Sequence, residues 1–167
     1  MFRDESGELY LDSKTLVPTS DLEKFETGSS PSDKPWEVNG KRWHLEERTS
    51  EDTAVLVQDL VDGVSKLEAL EGPRWTQKIY IAFRTEGTNR VLLRTRTNSV
   101  RVDIHDFDIG DEDELLERAI DLFGDSDLVV LDTDFHENRE RLRLKYRPGD
   151  NVDIDRLNNL ISDLILS

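Results

Sequence analysis

Apolar and polar residues alternate in three segments between residues 76 and 104, and short polar turns separate these segments. In the third segment, Val100, Val102 and Ile104 alternate with Arg101 and Asp103. Successive side chains of a strand point to opposite faces of a sheet. Turns this short can join only antiparallel strands, because a parallel pair needs a longer crossover. The pattern therefore predicts an antiparallel meander with one apolar face.

Helical spacing of apolar residues predicts three helices that cover this apolar face. They begin near Ser50, Asp111 and Asp153, and Gly72-Pro73 and Gly124 are predicted to end the first two. Glu114, three residues after Asp111, completes a capping-box pattern. Two further strands are predicted at residues 127–134 and 139–147. The expected fold class is α+β, with an antiparallel sheet of about five strands backed by three helices.

The N-terminal part is predicted to differ from this domain. Residues 1–35 are expected to form an arm and linker with a short hairpin strand, because residues 27–35 are small, polar and rich in proline. Residues 36–167 are expected to form one domain. Within it, Asn39-Gly40 predicts a hairpin turn in residues 36–47.

The composition predicts an environment rather than an activity. The net charge is −15, Asp outnumbers Glu by 21 to 16, and Arg outnumbers Lys by 15 to 7. Such a surface suits a cytoplasm of very high salt, where screening removes the repulsion between like charges. An ordinary acidic protein kept soluble by its charge is the alternative. The polar N-terminus and the absence of long apolar runs predict neither a signal peptide nor a membrane span, hence a cytoplasmic protein.

Positive charge is concentrated in the predicted strands. Residues 76–105 and 139–147 hold eleven Lys and Arg against three acids, a net charge of +8, so the other 128 residues carry −23. Strand periodicity places these cations on one sheet face. The candidate binding residues are Lys78, Tyr80, Arg84, Arg94, Arg96, Arg101, Arg141, Arg143 and Lys145.

A basic sheet face with a tyrosine is typical of surfaces that bind the phosphate backbone of nucleic acid and stack on its bases. DNA or RNA is therefore the expected partner, with arginines on phosphates and Tyr80 on a base. Two alternatives stay open. The face could dock an acidic protein, as an adaptor would, or its arginines could pair with Asp and Glu from the loops and the N-terminal segment of the same chain.

Residues 44–167 resemble a small domain of unknown function. The resemblance rests on HLEE at 44–47, KIYIAFR at 78–84, VRVDI at 100–104 and the hairpin and helix of 127–167. This domain occurs at the C-terminus of restriction-type nucleases and in stand-alone proteins labelled as predicted transport proteins. The resemblance implies a recognition module in restriction, defence or DNA processing, without catalytic residues. Any nuclease would be a separate subunit.

The sequence contains few residue patterns that are typical of an enzyme. A metal-dependent hydrolase could use Asp132 and Asp134 with Glu140, but the residue two after Glu140 is Leu142 rather than lysine. Asp132, Asp134 and Glu137 are the weak candidates for a metal site. Three scattered histidines, His44, His105 and His136, are expected to be surface or capping residues. The chain has no cysteine and no glycine-rich phosphate loop, so no catalytic residue and no cofactor is predicted.

Overall fold

The computed structural model describes residues 33–107, 111–123, 129–135 and 139–166, with the backbone alone at residues 123, 132–135 and 139. Residues 34–167 form one compact unit. The predicted arm, residues 1–35, falls almost entirely outside the described residues, and so does its predicted hairpin strand.

The described residues form an α+β fold around one antiparallel sheet, which confirms the predicted fold class. Its six strands lie in the order β1-β2-β3-β4-β6-β5. The elements in chain order are α1 Pro35–Val38, α2 Gly40–Arg42, a π-helical turn Trp43–Glu47, α3 Glu51–Val64, β1 Glu71–Arg74, β2 Tyr80–Thr85, β3 Thr88–Arg96, β4 Ser99–His105, α4 Glu112–Phe123, β5 Val129–Phe135, β6 Arg139–Tyr146 and α5 Ile154–Leu166.

The core lies between the apolar face of the sheet and the three long helices. Its sheet side is built from alternate residues of four strands, namely Ile81, Phe83, Val91, Leu93, Val100, Val102, Ile104, Leu142 and Leu144. Helices α3 and α5 add Val57, Leu60, Leu157 and Ile161, all of them buried. Burial of this apolar surface is the main favourable term in folding.

The three predicted helix starts are each capped by a side chain. Ser50 Oγ accepts a hydrogen bond from the backbone N–H of Thr53 at 3.3 Å. Asp111 Oδ1 accepts from Glu114 N at 2.7 Å, and Asp153 Oδ1 accepts from Arg156 N at 3.1 Å. Each cap satisfies a backbone donor that the first helical turn leaves without a partner.

The predicted hairpin at Asn39-Gly40 is wrong, because residues 35–47 are helical. Asn39 Oδ1 accepts a hydrogen bond from Arg42 N at 3.1 Å, so Asn39 caps α2. A Cβ atom on Gly40 would lie 2.2 Å from the carbonyl oxygen of Trp75. Glycine is needed here because two backbone segments approach closely, and no turn with positive φ is involved.

The first long helix ends earlier than predicted, and an additional strand follows it. Helix α3 ends at Val64, and Gly72-Pro73 lies inside β1 instead of ending a helix. Among the described strands, β1 pairs with β2 alone and lies at the edge of the sheet. Proline is tolerated in an edge strand because its missing N–H need not join the hydrogen-bond ladder.

His44 is fully buried, so the prediction of a surface or capping histidine is wrong at this position. Its Nε2 donates to the carbonyl oxygen of Gln77 at 2.7 Å. Its Nδ1 therefore accepts from the Thr95 hydroxyl, 2.8 Å away. Arg48 Nε in turn donates to the same Thr95 oxygen at 3.0 Å. The network joins the π-helical turn to β3 and requires a neutral imidazole.

This network predicts that acid destabilises the fold through His44. Burial lowers the pKa of His44 from 6.5 to about 4, against the raising effect of its hydrogen bond to Gln77. The unfolded chain therefore takes up the proton first, so stability is complete above pH 6.5 and falls as the pH drops towards 4. Between pH 7 and 4.5 the free energy of unfolding of the unchanged protein should fall by about 2 to 3 kcal/mol more than that of the His44→Gln variant. Urea unfolding at both pH values measures this difference. Equal losses would contradict this assignment.

Helices α3 and α5 touch at a glycine. A Cβ atom on Gly63 would lie 2.5 Å from Ile154 Cγ2. Nearby, Asn158 Nδ2 donates to the Gly63 carbonyl oxygen at 2.8 Å. The small residue thus allows the first turn of α5 to pack directly on the backbone of α3.

The contact predicts a background-dependent effect of Gly63→Ala. Alanine favours a helix over glycine by about 1 kcal/mol, but here it overlaps Ile154. We expect a net loss of about 1 to 2 kcal/mol in the unchanged protein. In an Ile154→Ala background the same change should be neutral or stabilising. Urea unfolding of the four proteins measures this coupling, and identical effects of Gly63→Ala in both backgrounds would rule it out.

Candidate nucleic-acid interface

Eight of the nine predicted binding residues belong to the sheet face opposite the three long helices. We call this the basic face: Tyr80 and Arg84 of β2, Arg94 and Arg96 of β3, Arg101 of β4, and Arg141, Arg143 and Lys145 of β6. They alternate along their strands with the core residues. Lys78 precedes β2 instead, and its Nζ lies 5.1 Å from the centre of the Trp36 ring.

The strand register brings like charges together on the basic face. Tyr80 pairs with Arg94, Arg94 with Arg101, and Arg101 with Lys145. Three cations therefore stand directly opposite one another on adjacent strands. Like charges in such positions destabilise a sheet, so this arrangement needs a counter-charge.

The counter-charge is Asp103, whose side chain is completely buried at the centre of the basic face. Its Oδ2 accepts a hydrogen bond from Arg94 Nε at 2.6 Å. Its Oδ1 lies 3.3 Å from Arg101 Nε and 3.6 Å from Arg143 Nε. One carboxylate therefore contacts three guanidinium groups, and the cluster of four side chains keeps a net charge of +2.

The three guanidinium groups face Asp103 through Nε, although a guanidinium has five N–H donors. Of these three arginines, only Arg94 is hydrogen-bonded to the carboxylate. The Nε atoms of Arg101 and Arg143 are buried and, within the described residues, have no hydrogen-bond partner. The side chains are 21%, 24% and 23% exposed for Arg94, Arg101 and Arg143. The cluster thus offers partly accessible donors to a further anion.

Apolar residues also lie beside the carboxylate on the basic face. Ala82 and Leu92 are both buried on the same face, and Leu92 pairs directly with Asp103. The low polarity strengthens each ion pair, and it equally penalises any charge left without a partner. Burial also lowers the pKa of the neighbouring His105 to about 4, with Asp103 raising it and Arg141 lowering it further. His105 is therefore neutral at pH 7.

Other contacts within the protein also involve arginines of the basic face and of the strands that form it. The Arg94 guanidinium carbon lies 5.4 Å from the centre of the Tyr80 ring, within the range of a cation–π contact. Arg84 Nε donates to Asn89 Oδ1 at 3.0 Å. Arg90 donates to the carbonyl oxygens of His105 and Asp106, so it fastens the end of β4.

Sequence reasoning missed Asp103 as the organising residue. The sequence does indicate this role, because strand alternation places Asp103 on the same side of β4 as Arg101 and His105, where it is the one acid among basic residues of that strand. It also missed Arg90 as a structural residue. Three of the arginines do pair with an acid of their own chain, but this acid, Asp103, lies in β4 on the basic face itself and not in the loops or the N-terminal segment from which partners were expected.

The structure leaves the hydrolase candidates untested. The side chains of Asp132, Asp134 and Glu137, and all of His136, lie outside the described residues. Glu140 is in phase with the core residues Leu142 and Leu144. Among the side chains that the structure does describe, no group of three or more His, Asp or Glu is placed to hold a metal ion.

A groove of about 790 Å³ lies away from the basic face, between α3 and residues 148–154. Its polar lining is mainly acidic, with Asp52, Asp59, Asp62 and Asp150. A polyanion would be repelled there, so the groove does not extend the basic face.

Comparison with known protein families, curated proteins and solved structures finds no significant match to this chain. Of the helices in the described ranges, none is both long and apolar enough to cross a membrane.

The cluster predicts a large effect of removing its carboxylate. Asp103→Asn should lower the free energy of unfolding by about 3 kcal/mol, because three partly buried guanidinium groups lose their shared counter-charge. Asp163→Asn is the matched control, since Asp163 pairs with Arg118 on the exposed surface and should lose less than about 1 kcal/mol. Urea unfolding at one fixed salt concentration measures both. A loss for Asp103→Asn no larger than the control would contradict the central role of Asp103.

Proposed function

We propose that this chain is a non-catalytic recognition module that binds nucleic acid through its basic face. The observation that carries the proposal is the set of three guanidinium groups that share one buried carboxylate, at Nε–oxygen distances of 2.6, 3.3 and 3.6 Å. Arg94 is hydrogen-bonded to this carboxylate, and the ion pairs draw the other two side chains towards it. We therefore expect less side-chain entropy to be lost on binding than for arginines without such a partner.

Phosphate, like carboxylate, fits these donors. A guanidinium can present two parallel N–H donors to two phosphate oxygens. A nucleic-acid backbone supplies such groups at regular intervals, and the face offers cations on four adjacent strands. In this proposal the arginines and Lys145 contact phosphates.

Tyr80 is proposed to take part in binding a base. Its contact with Arg94 covers one side of the ring, so a base would stack on the other side or on the guanidinium plane. Stacking of this kind tolerates any base sequence, because every base has a π-face. The module would therefore bind with little sequence preference.

The wider context is proposed from the sequence. The resemblance of residues 44–167 favours a role in restriction, defence or DNA processing, with any nuclease as a separate subunit. The excess of Asp over Glu and of Arg over Lys favours a cytoplasm of high salt. An adaptor that docks an acidic protein on the same face is the alternative, and a metal-dependent hydrolase around Asp132, Asp134 and Glu140 is the third possibility.

Fluorescence anisotropy with labelled single-stranded DNA, single-stranded RNA and duplex DNA tests the proposal. We expect binding whose log K falls linearly with log salt, by about 0.7 to 0.9 for each phosphate contact. The triple change Arg84→Gln, Arg96→Gln and Lys145→Gln should weaken binding to every sequence and reduce this slope by about 2 to 3. The lowest salt used is set by circular dichroism, as the lowest at which the fold is intact.

The matched control is the triple change Arg42→Gln, Arg118→Gln and Arg156→Gln. It alters the net charge equally, at exposed residues outside the basic face. It should keep the slope. If the two triple variants bind alike, or if no oligonucleotide binds, the proposal is wrong. Protein captured at molar salt would then favour the adaptor, and Mg²⁺-dependent cleavage lost in Asp132→Ala would favour the hydrolase.

A further inference from the structure

A small depression lies where β3 turns into β4, at one end of the basic face. Its volume is about 130 Å³, and it is lined by Arg96, Ser99, Arg101 and Lys145. Pockets for drug-sized ligands are larger, on the order of 300 Å³ or more. The depression is thus too small for a drug-sized molecule, and its volume of several water molecules, at about 30 Å³ each in the liquid, is sufficient for a small anion.

Each lining side chain is a hydrogen-bond donor, and three of the four are cations. Arg101 and Lys145 face each other directly across β4 and β6. Arg96 and Ser99 pair across the turn that joins β3 to β4. A rigid hairpin and its neighbouring strand therefore bring all four residues together, and no mobile loop is needed.

The positive charge in the depression is not balanced by neighbouring acids. Within the part of the chain that the structure describes, Arg96 and Lys145 form neither a hydrogen bond nor an ion pair. Arg101 shares Asp103 with two other arginines. Burial lowers the pKa of Arg101, Asp103 raises it, and the charges of Arg143, Arg94 and Arg96 lower it further. The guanidinium nevertheless stays charged at neutral pH.

We propose that this depression is a subsite for a single phosphate group, which Arg96, Arg101 and Lys145 bind as cations and Ser99 as a hydroxyl donor. The inference rests on the proposed function only in that the phosphate is taken to belong to a nucleic acid. The group could be a diester within the strand or a monoester at its 5′ end. Asp103 acts here as a positioning residue, since its ion pair with Arg101, at 3.3 Å from Nε, draws this edge of the guanidinium towards the carboxylate and leaves the terminal nitrogens for the phosphate.

Three probes separate the sources of the phosphate: inorganic phosphate, a 5′-phosphorylated single-stranded oligonucleotide, and the same oligonucleotide with a 5′ hydroxyl. Inorganic phosphate, added at constant ionic strength against chloride, should shift the backbone amide resonances of Ser99 and Arg101 in a saturable way. A preference for the 5′-phosphorylated strand would assign the subsite to a terminal monoester. Equal affinity for both strands would assign it to a diester.

The test variant is Arg96→Gln with Lys145→Gln, and its control is Arg84→Gln with Arg147→Gln, which removes two cations that do not line the depression, one from β2 and one directly after β6. The test variant should abolish the phosphate-induced shifts and weaken oligonucleotide binding by about tenfold or more. The control should keep the shifts and lose less affinity. Thermal unfolding of both variants checks that the fold survives.

The outcomes distinguish the subsite from the proposed function. Saturable phosphate shifts without oligonucleotide binding would support the subsite and overturn the nucleic-acid function. Oligonucleotide binding without phosphate shifts, and with equal losses in the two variants, would overturn the subsite and leave the function standing. Absence of both kinds of binding would overturn both.

Discussion

A single buried carboxylate, Asp103, is what allows three arginines to share the middle of one sheet face. Without it, the register that places Arg94, Arg101 and Lys145 side by side would join like charges on adjacent strands. With it, Arg94 is hydrogen-bonded at 2.6 Å, and Arg101 and Arg143 lie at ion-pair distances of 3.3 and 3.6 Å. The ion cluster that balances the charge of the sheet therefore also places these arginines on the basic face. If the basic face binds an anion as proposed, Asp103 links binding to stability.

Much of the fold can be predicted from the spacing of apolar residues, because a strand or helix that buries one face must place apolar residues on that face at regular intervals. The alternation in residues 76–104 fixes which strand face meets the helices, and helical spacing with Ser50, Asp111 and Asp153 as caps fixes three helix starts. The close backbone contact at Gly40 could not be predicted from such spacing, because it depends on the Trp75 carbonyl, 35 residues away. Strand β1 escaped it because Gly72-Pro73 has the same local pattern in an edge strand as after a helix.

The candidate site could likewise be predicted from the sequence only in part. Strand periodicity alone places eight of the nine predicted binding residues on one face, since that assignment needs only alternation along each strand. The register between strands is a tertiary property, and it alone shows that Asp103 lies within reach of Arg94, Arg101 and Arg143. Lys78 was assigned to the strand by extending the alternation two residues too far, and it lies on Trp36 instead.

High salt affects the parts of this surface differently. At 1 M salt the Debye length is about 3 Å, close to the distances between Asp103 and its arginines. Contacts of this length, partly shielded from solvent, keep most of their strength while long-range attraction to a polyanion is lost. A face that relies on fixed, directional donors is therefore better suited to such a medium than one that relies on a diffuse field of flexible lysines.

The two sides of the molecule differ in sign. Helices α3, α4 and α5 carry eleven acids, all exposed, and only two arginines, whereas strands β2, β3, β4 and β6 carry nine Lys and Arg against two acids. The described part of the protein thus has a dipole moment whose axis runs through the sheet. If the basic face binds a polyanion as proposed, the acidic helices point away from it and would repel a second strand. On that proposal, the distribution of charge favours one strand for each protein molecule.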